Sequence, residues 1–511
     1  MGLNNITFVL GQGGLGRPLP GEDYISGMLF FCADNKLPSG WTTTARNKQL
    51  FSVQDAEAAG ILADYSDATA AVGTVLVTAP GTNGDTITIS TVTPSGTIVF
   101  GTYTKVVGDA TVTAVGAAIA AIINTGTINH GFTAVNTTGS VAITAPKKYG
   151  IYLNTGSRLV TALSAGATLA ITVTQYTGGV ASLQAVWHYH ISEFFRIQPQ
   201  GFLWVGFNAV PGSYTFTAEV AALVTASSGK IRQLAVYKDG AAFASADITA
   251  LNTALNAQFA AHRPLVGVYA ADISGTADIS TLSDLSILSA NLVLPAIGQD
   301  GTALGAFLYI TYGKSITDMG AVLGAIALAN VNEDIAWVAK FNMSDGTELD
   351  MPAFANGVKL TDSTISENLL TAIQNKGYNF LRTFVGVAGS YNNESRTAIT
   401  IQSDYAYIEN NRTIQKATRG VYSNMVPSLA APIVLNTDGT LKDTSIEYFK
   451  TLAEASLFDM QRAGEISSAS VTIDSTQNVL STGLLVVSIS IVPVGVARNI
   501  QVNIGFNISI S

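Results

Sequence analysis

Phe202-Leu203-Trp204-Val205-Gly206-Phe207 is an apolar run, and three more follow it at Ile231 to Tyr237, Pro264 to Tyr269 and Asn291 to Ile297. Helical patterns lie between and after them, at Thr217 to Ser227, at Ile248 to Ala261 behind Asp247, and at Ile316 to Val331. Apolar strands separated by helical stretches of roughly 10–15 residues predict right-handed βαβ units and a mainly parallel sheet, since parallel strands need a crossover between them. The run Ile25 to Cys32 and a helix-like stretch from Gln54 to about Thr69 complete a discontinuous α/β domain, 21–72 and 181–342.

Residues 73–180 interrupt it. Thr, Ala, Gly and Val dominate there, and the charged residues thin out to Asp85, Lys105, Asp109, Lys147, Lys148 and Arg158. Short β runs (Thr86 to Ile89, Thr97 to Phe100, Val141 to Thr144, Ala170 to Val173) sit between Gly/Asn/Pro turns, with one Ala-rich helix at about Thr111 to Ile123. The chain on either side reads as helix, Ala56 to Ala71 and Leu183 to Phe195. A small β-rich domain inserted into one helical segment is expected.

The region 343–511 reads as α+β. Tyr378 to Val385 is a predicted strand and Tyr405 to Met425 a helix ended by Pro427. A second helix, Ser445 to Ala463, has Thr444 as N-cap, Glu447 three residues on as a capping box, and Gly464 as its stop. Then come an apolar run, Leu484 to Val492, and a last stretch from Arg498 to Ser511. In that stretch Ile500, Val502, Ile504, Phe506, Ile508 and Ile510 alternate with polar residues, the period of a strand with one buried face. At the other end Ile6 to Leu10 is strand-like, and a Gly/Pro-rich bend follows within an arm of residues 1–20. A strand at a terminus either completes its own sheet or is lent to a neighbour's.

Charged residues are 12% of the 511 and hydrophobic ones 48%, against about 25% charged in ordinary globular domains. Neutral surface of this kind is often covered by partners. The net charge of -9 gives no basic footprint for nucleic acid. Cys32 is alone, so no intrachain disulfide forms. Met1-Gly2-Leu3-Asn4-Asn5 lacks the basic start of an export signal, and the least charged long run, Ala110 to Ile128, is diluted by Thr, Gly and Asn. A soluble chain made in the cytoplasm, without membrane insertion, is expected.

Motifs for chemistry are weak. Gly11-Gln12-Gly13-Gly14-Leu15-Gly16 fits G-x-G-x-x-G, but Arg17-Pro18-Leu19-Pro20-Gly21 is hostile to the helix a dinucleotide site needs. Gly313-Lys314-Ser315 follows what reads as an apolar strand and precedes a helix, yet the Gly that a phosphate loop requires five residues earlier is Leu308. His188 and His190, near Glu193, diverge if Trp187 to Phe195 is helical, which favours histidines at a core edge over metal ligands. No nucleophile elbow or carboxylate pair stands out. The expectation is a protein without cofactor or metal that is not an enzyme.

The C-terminal region carries a resemblance. Asn410 to Gly420 on a long helix, Leu435-Asn436-Thr437-Asp438-Gly439-Thr440, Met460 to Ile466, Val471 to Asp474 and Ser488 to Ile500 occur in an order that resembles contractile tail sheath proteins of bacteriophages and related injection systems. Pro295 to Gly301 and Ile335 to Asn342 extend the similarity, which covers about 1–72 and 181–511. The resemblance implies a non-enzymatic subunit that stacks as hexameric rings around a tail tube and contracts when a baseplate triggers it. It implies partners in the tube, baseplate and tail terminator proteins, and a place in a virion tail.

It also implies terminal arms that add strands to neighbouring subunits. Here those arms are Ile6, Phe8 and Leu10 at one end and Ile500, Val502, Ile504, Phe506 and Ile508 at the other. The helix Ser445 to Ala463, with Glu447, Lys450, Glu454 and Asp459 on a charged face, is the expected tube-facing element. A secreted or surface-exposed structural or adhesin protein is the alternative, favoured by the Thr/Ala/Gly domain and opposed by the lack of a visible export signal.

Overall fold

In the computed structural model, which describes residues 23–238 and 242–505, β1 (Ile25–Phe31) is buried along its whole length. Met28 and Phe30 join one core and Leu29 and Phe31 another. A strand covered on both faces needs apolar residues at every position, hence a continuous run rather than an alternation.

After β2 (Asn47–Leu50) comes α1 (Val53–Ala58), capped by Ser52, whose Oγ accepts from the Asp55 amide at 3.2 Å. The helix expected over 54–69 ends here. Gly60, at φ 87°, turns the chain away, and the residues up to Ala71 are not helical. The inserted domain therefore does not split one helix. Instead Thr69 and Val180 bond each other's backbones, N to O 3.1 and 3.0 Å, and bring both ends of the insertion together.

The insertion contains β3 (Val72–Pro80), β4 (Thr86–Thr93), β5 (Gly96–Thr104), α2 (Val112–Thr125), α3 (Thr127–His130), β6 (Thr133–Thr137), β7 (Ser140–Thr144), β8 (Leu159–Leu163) and β9 (Leu169–Thr177). Two antiparallel sheets, ordered β6-β7-β3-β9 and β5-β4-β8, enclose their own core with α2, including Val75, Ile87, Ile119 and Tyr176. Thr111 caps α2. The domain also docks on the body away from its ends: the Ile151 amide donates to the Thr311 carbonyl at 3.0 Å.

The body resumes with α4 (Leu183–Ile197), β10 (Phe202–Asn208), α5 (Thr217–Ala226), β11 (Gln233–Tyr237), α6 (Ser245–Ala260), β12 (Val266–Ala270) and β13 (Val293–Ala296). The six-stranded sheet runs β13-β12-β11-β1-β10-β2, parallel throughout except for β2 at one edge. After β14 (Gly298–Asp300) come α7 (Leu304–Tyr312) and α8 (Met319–Leu328). Residues of α4 and α8 cover one face of the sheet, and residues of α5 and α6 the other. Helices α4 and α8 touch backbone to backbone, since a Cβ on Gly320 would lie 2.1 Å from the His190 carbonyl oxygen.

Then follow β15 (Pro352–Phe354), α9 (Glu367–Asn375), β16 (Leu381–Phe384) and β17 (Val387–Asn392). No seam of packing falls at residue 343: Phe354, Ile373, Tyr378, Phe380 and Ala398 share the core beneath α5 and α6.

The C-terminal module is α10 (Ile408–Met425), α11 (Asp443–Arg462), β18 (Ile466–Thr472), α12 (Val479–Thr482) and β19 (Ser488–Pro493). Its small core joins Ala417, Ala453, Leu457, Met460, Ile466 and Val471. The expected capping box is absent. Helix α11 begins at Asp443, behind an extended Lys442, so Thr444 lies inside it. Asp443 in the first turn places negative charge against the helix dipole. Gly464, at φ 74°, ends the helix as expected, with the Glu465 amide bonded to the Met460 carbonyl at 2.9 Å.

Candidate assembly surface

Ile466, Ala469, Val471, Ile489 and Ile491 turn toward α10 and α11 and fix one face of the β18–β19 pair. The strands are antiparallel, Val471 opposite Ile489 and Ala469 opposite Ile491. Among the described residues neither strand has a second neighbour, so both outer edges are open. The apolar run 484–492 thus pairs with β18, not with the alternating stretch after it.

That later stretch forms no strand in its described part. Residues 494–505 have no ladder partner, and Ile500, Val502 and Ile504 stand 80%, 69% and 91% exposed. The reason is physical: an alternating segment gains nothing by extending unless a sheet edge and an apolar surface receive it. Phe506 and Ile508, like Ile6, Phe8 and Leu10, lie outside the described residues.

On α11, Phe449, Ala453, Leu457 and Met460 point into the module. Glu447 and Asp459 are exposed, and Lys450 and Glu454 half-buried. Lys450 lies 3.9 Å from Glu447, and Arg462 2.6 Å from Asp459. The face is less polar than the sequence reading had it, because Tyr448 and Phe458 are half exposed on the same helix.

Sequence reasoning missed the buried charged stripe beneath this module. Glu409, Arg412, Lys416 and Arg419 recur at i, i+3, i+7 and i+10 of α10, one face of the helix, and all are buried. Arg412 donates to the carbonyls of Ala329 and Asn330, both at 3.1 Å. Asp23 receives Lys416 at 2.9 Å and Arg419 at 2.8 Å, and Lys416 also pairs with Glu465. At the other end of the helix Glu409 pairs with Arg498. The spacing of these charges was legible, but charges at helical spacing fit a solvated face equally well. Only the packing shows that the stripe faces inward.

The weak chemical motifs resolve into structure. The segment before Gly313 is helix α7, not a strand, and Gly313 caps it at φ 73°. Lys314 lies 3.7 Å from Asp272, while the Ser315 hydroxyl donates to the Ala355 carbonyl at 2.5 Å and accepts from the Ile273 amide at 2.9 Å. These contacts tie three loops together and leave no amide cradle. His188 reaches Glu57 at 3.0 Å on the surface. His190 points the other way, fully buried, and burial pushes its pKa down to about 3. Among the described residues no three His, Cys, Asp or Glu side chains converge as a metal site, and no helix is long and apolar enough to cross a membrane. The Gly11 to Gly16 motif lies outside the described residues.

Residues 3–396 match the DUF2586 N-terminal domain, and residues 404–511 match the DUF2586 C-terminal domain. The chain belongs to the DUF2586 family. The join between the two matches falls just ahead of α10, where the body gives way to the C-terminal module. No curated protein matches this DUF2586 chain. Among solved structures it is similar to a chain of the anti-feeding prophage baseplate, at 13% identity and TM-score 0.44, over 63% of this chain and 80% of that one. It is similar to the contracted helical sheath of the same particle at 16% and 0.43, over 62% and 81%. The sheath tail protein of Desulfitobacterium hafniense matches at 11% and 0.36, over 91% and 94%. At these TM-scores the likeness is distant and carries no argument about assembly.

Proposed function

We propose that this chain is the subunit of a contractile tail sheath, polymerising as stacked hexameric rings around a tail tube and shortening to drive the tube through a cell envelope. One observation carries the reading. A strictly alternating segment ends the described chain with Ile500, Val502 and Ile504 exposed, and the module it leaves holds a sheet that, among the described residues, has two strands and both edges open. An unpaired strand and an unpaired edge in one subunit are complementary halves of a joint between two. The order of sequence features shared with sheath proteins supports the same reading.

On this reading the C-terminal segment crosses to the next subunit, and the run Ile6 to Leu10 serves as the second arm. If Ile500, Val502, Ile504, Phe506 and Ile508 each bury a side chain worth roughly 1.5–3 kcal/mol, the gross gain is on the order of 10 kcal/mol. Ordering the arm offsets much of that. The remainder recurs in every subunit.

Helix α11, through Glu447, Lys450, Glu454 and Asp459, is the face assigned to the tube. The contact is modest, as a sheath that must leave its tube requires, with the charges interleaved by the exposed Tyr448 and Phe458. The baseplate and tail terminator proteins bind the ends of the polymer, in a virion tail assembled in the host cytoplasm, without cofactor, nucleic acid or catalytic step.

Truncation after Val496 tests the proposal. The truncated chain should remain folded by circular dichroism yet form no tubes in negative-stain microscopy, where the full chain does. A truncated chain that still builds tubes overturns strand exchange.

A further inference from the structure

Among the described residues, Arg498 is the last with a buried, charged seat. Its guanidinium lies 3.6 Å from the centre of the Tyr407 ring, 3.1 Å from Glu394 and 3.3 Å from Asp334, and it pairs with Glu409. Those groups come from three places: the turn after α8, the segment after β17, and the first turn of α10. All three carboxylates are buried. The socket is built rather than accidental. Ser395 donates to Glu409 at 2.6 Å and the Ala336 amide donates to Asp334 at 2.9 Å, so two of the three acids are held in place from behind. A planar fork of donors over an aromatic face suits arginine and not lysine. Beyond Arg498 the chain through Gly505 is exposed.

We propose that Asp334, Glu394, Glu409 and Tyr407 form a guanidinium socket whose occupant, Arg498, fixes where the C-terminal segment leaves the body, and that the socket releases this residue as it takes up protons. The role of the released segment in joining subunits rests on the sheath reading above; the socket itself does not.

The charges explain the proton linkage. Three buried acids face one seated cation. Arg396 lies nearby over the same Tyr407 ring, at 5.9 Å, and Asp284 acts on Arg396 from farther away. Burial first, and then repulsion from Asp334, holds Glu394 up at about 8 and Glu409 up at about 7. Seated Arg498 opposes both rises. Withdrawing it removes that opposition, so the vacated socket binds protons more tightly than the filled one. The linkage runs from the filled socket's values, about 7 and 8, up to the higher values of the vacated one, so release is favoured as pH falls through that range and levels off below about 7, and seating is favoured as pH rises.

Trypsin reads the seat directly, because it cleaves after an arginine only when that side chain is free to enter its pocket. In the native full-length protein at pH 8, cleavage after Arg498 should be slow. In a Glu394→Gln/Glu409→Gln variant it should rise at least tenfold with the circular dichroism unchanged. Equal cleavage in the two proteins overturns the socket. Should that variant lose its fold, Arg498→Gln supplies the test by hydrogen exchange. Protection of residues 496–500 in the wild type, corrected for intrinsic rates, should fall between pH 8 and pH 6 to the level that Arg498→Gln shows at both. Wild-type protection that stays level with pH, or that already equals the variant's at pH 8, refutes the proposal. These readouts use the unassembled subunit, so failure of tube formation leaves them intact.

Discussion

The body sheet is built from continuous apolar runs and the β18–β19 pair from Ser-rich strands, and the two reach opposite outcomes. In the body, β1 has hydrogen-bonded neighbours on both sides and helices on both faces. In the C-terminal module two strands sit on two helices, one face packed and both edges unpaired among the described residues. A two-stranded sheet is marginal alone in water and gains from each strand added. The body can thus be stable by itself, while the module is left with strand valence to spend on another chain.

The body is where a single change should do most damage. Phe207 on β10 packs 4.6 Å from Trp187, 5.0 Å from Trp41 and 5.4 Å from Phe30, ring centre to ring centre, with no exposure. Phe207→Ala should cost about 3–5 kcal/mol in a denaturant titration, because the surrounding helices cannot collapse into the gap. The same truncation at Ile489, half-buried on β19, should cost far less. Equal losses would remove the contrast between a sheet covered on both faces and one covered on a single face.

A middling effect is expected at Asp318, just ahead of α8. Both carboxylate oxygens are buried without a hydrogen-bond partner, and burial pushes the group up from 3.8 to about 7. A folded state that holds its proton more tightly than the unfolded chain is favoured at low pH. Asp318 therefore contributes stability below about pH 4 that is lost as pH rises to about 7. Asp318→Asn should stabilise the protein at pH 8 by roughly 1–3 kcal/mol, and the gain should vanish near pH 4. A variant no more stable than wild type at pH 8 would mean that water or another group satisfies the charge.

The sequence was most readable where the local pattern and the tertiary context demand the same thing. The continuous runs at Ile25 to Phe31, Phe202 to Phe207 and Ile231 to Tyr237 are buried on both faces, so each residue type reported its surroundings directly. The alternation of Thr86 to Ile89 and Val141 to Thr144 likewise marked half-buried strands of the inserted domain. Readings failed where a pattern needs a partner to be realised. Ile500, Val502 and Ile504 alternate as a strand and lie exposed, since no edge among the described residues receives them. The helix expected through Ala71 was cut short by one glycine conformation at Gly60. The charged stripe of α10 was legible as spacing but not as a buried seam: Glu409 and Arg498 are 89 residues apart, and nothing local records that they meet.

The smallest effect should come from the largest deletion. The inserted domain has its own core, and its ends are held side by side by the Thr69–Val180 bridge. Replacing residues 70–179 with a short Gly/Ser linker need only span that bridge, and insertions are tolerated where both ends meet at the surface. The deletion does forfeit docking contacts, the Ile151–Thr311 and Lys147–Ser66 hydrogen bonds, and the packing of Tyr149 near Phe307, 6.4 Å between ring centres. Phe307 is half-buried on α7 and would become more exposed, a loss of about 1 kcal/mol or less. The melting temperature of the body should therefore shift by only a few degrees. On the sheath reading, with the domain on the outer surface, tubes should also form as before. A deletion variant that keeps its fold and builds no tubes would place the insertion in the joint between subunits. A variant that unfolds would show instead that α7 depends on the docked domain, and that the body is less self-sufficient than its doubly covered sheet implies.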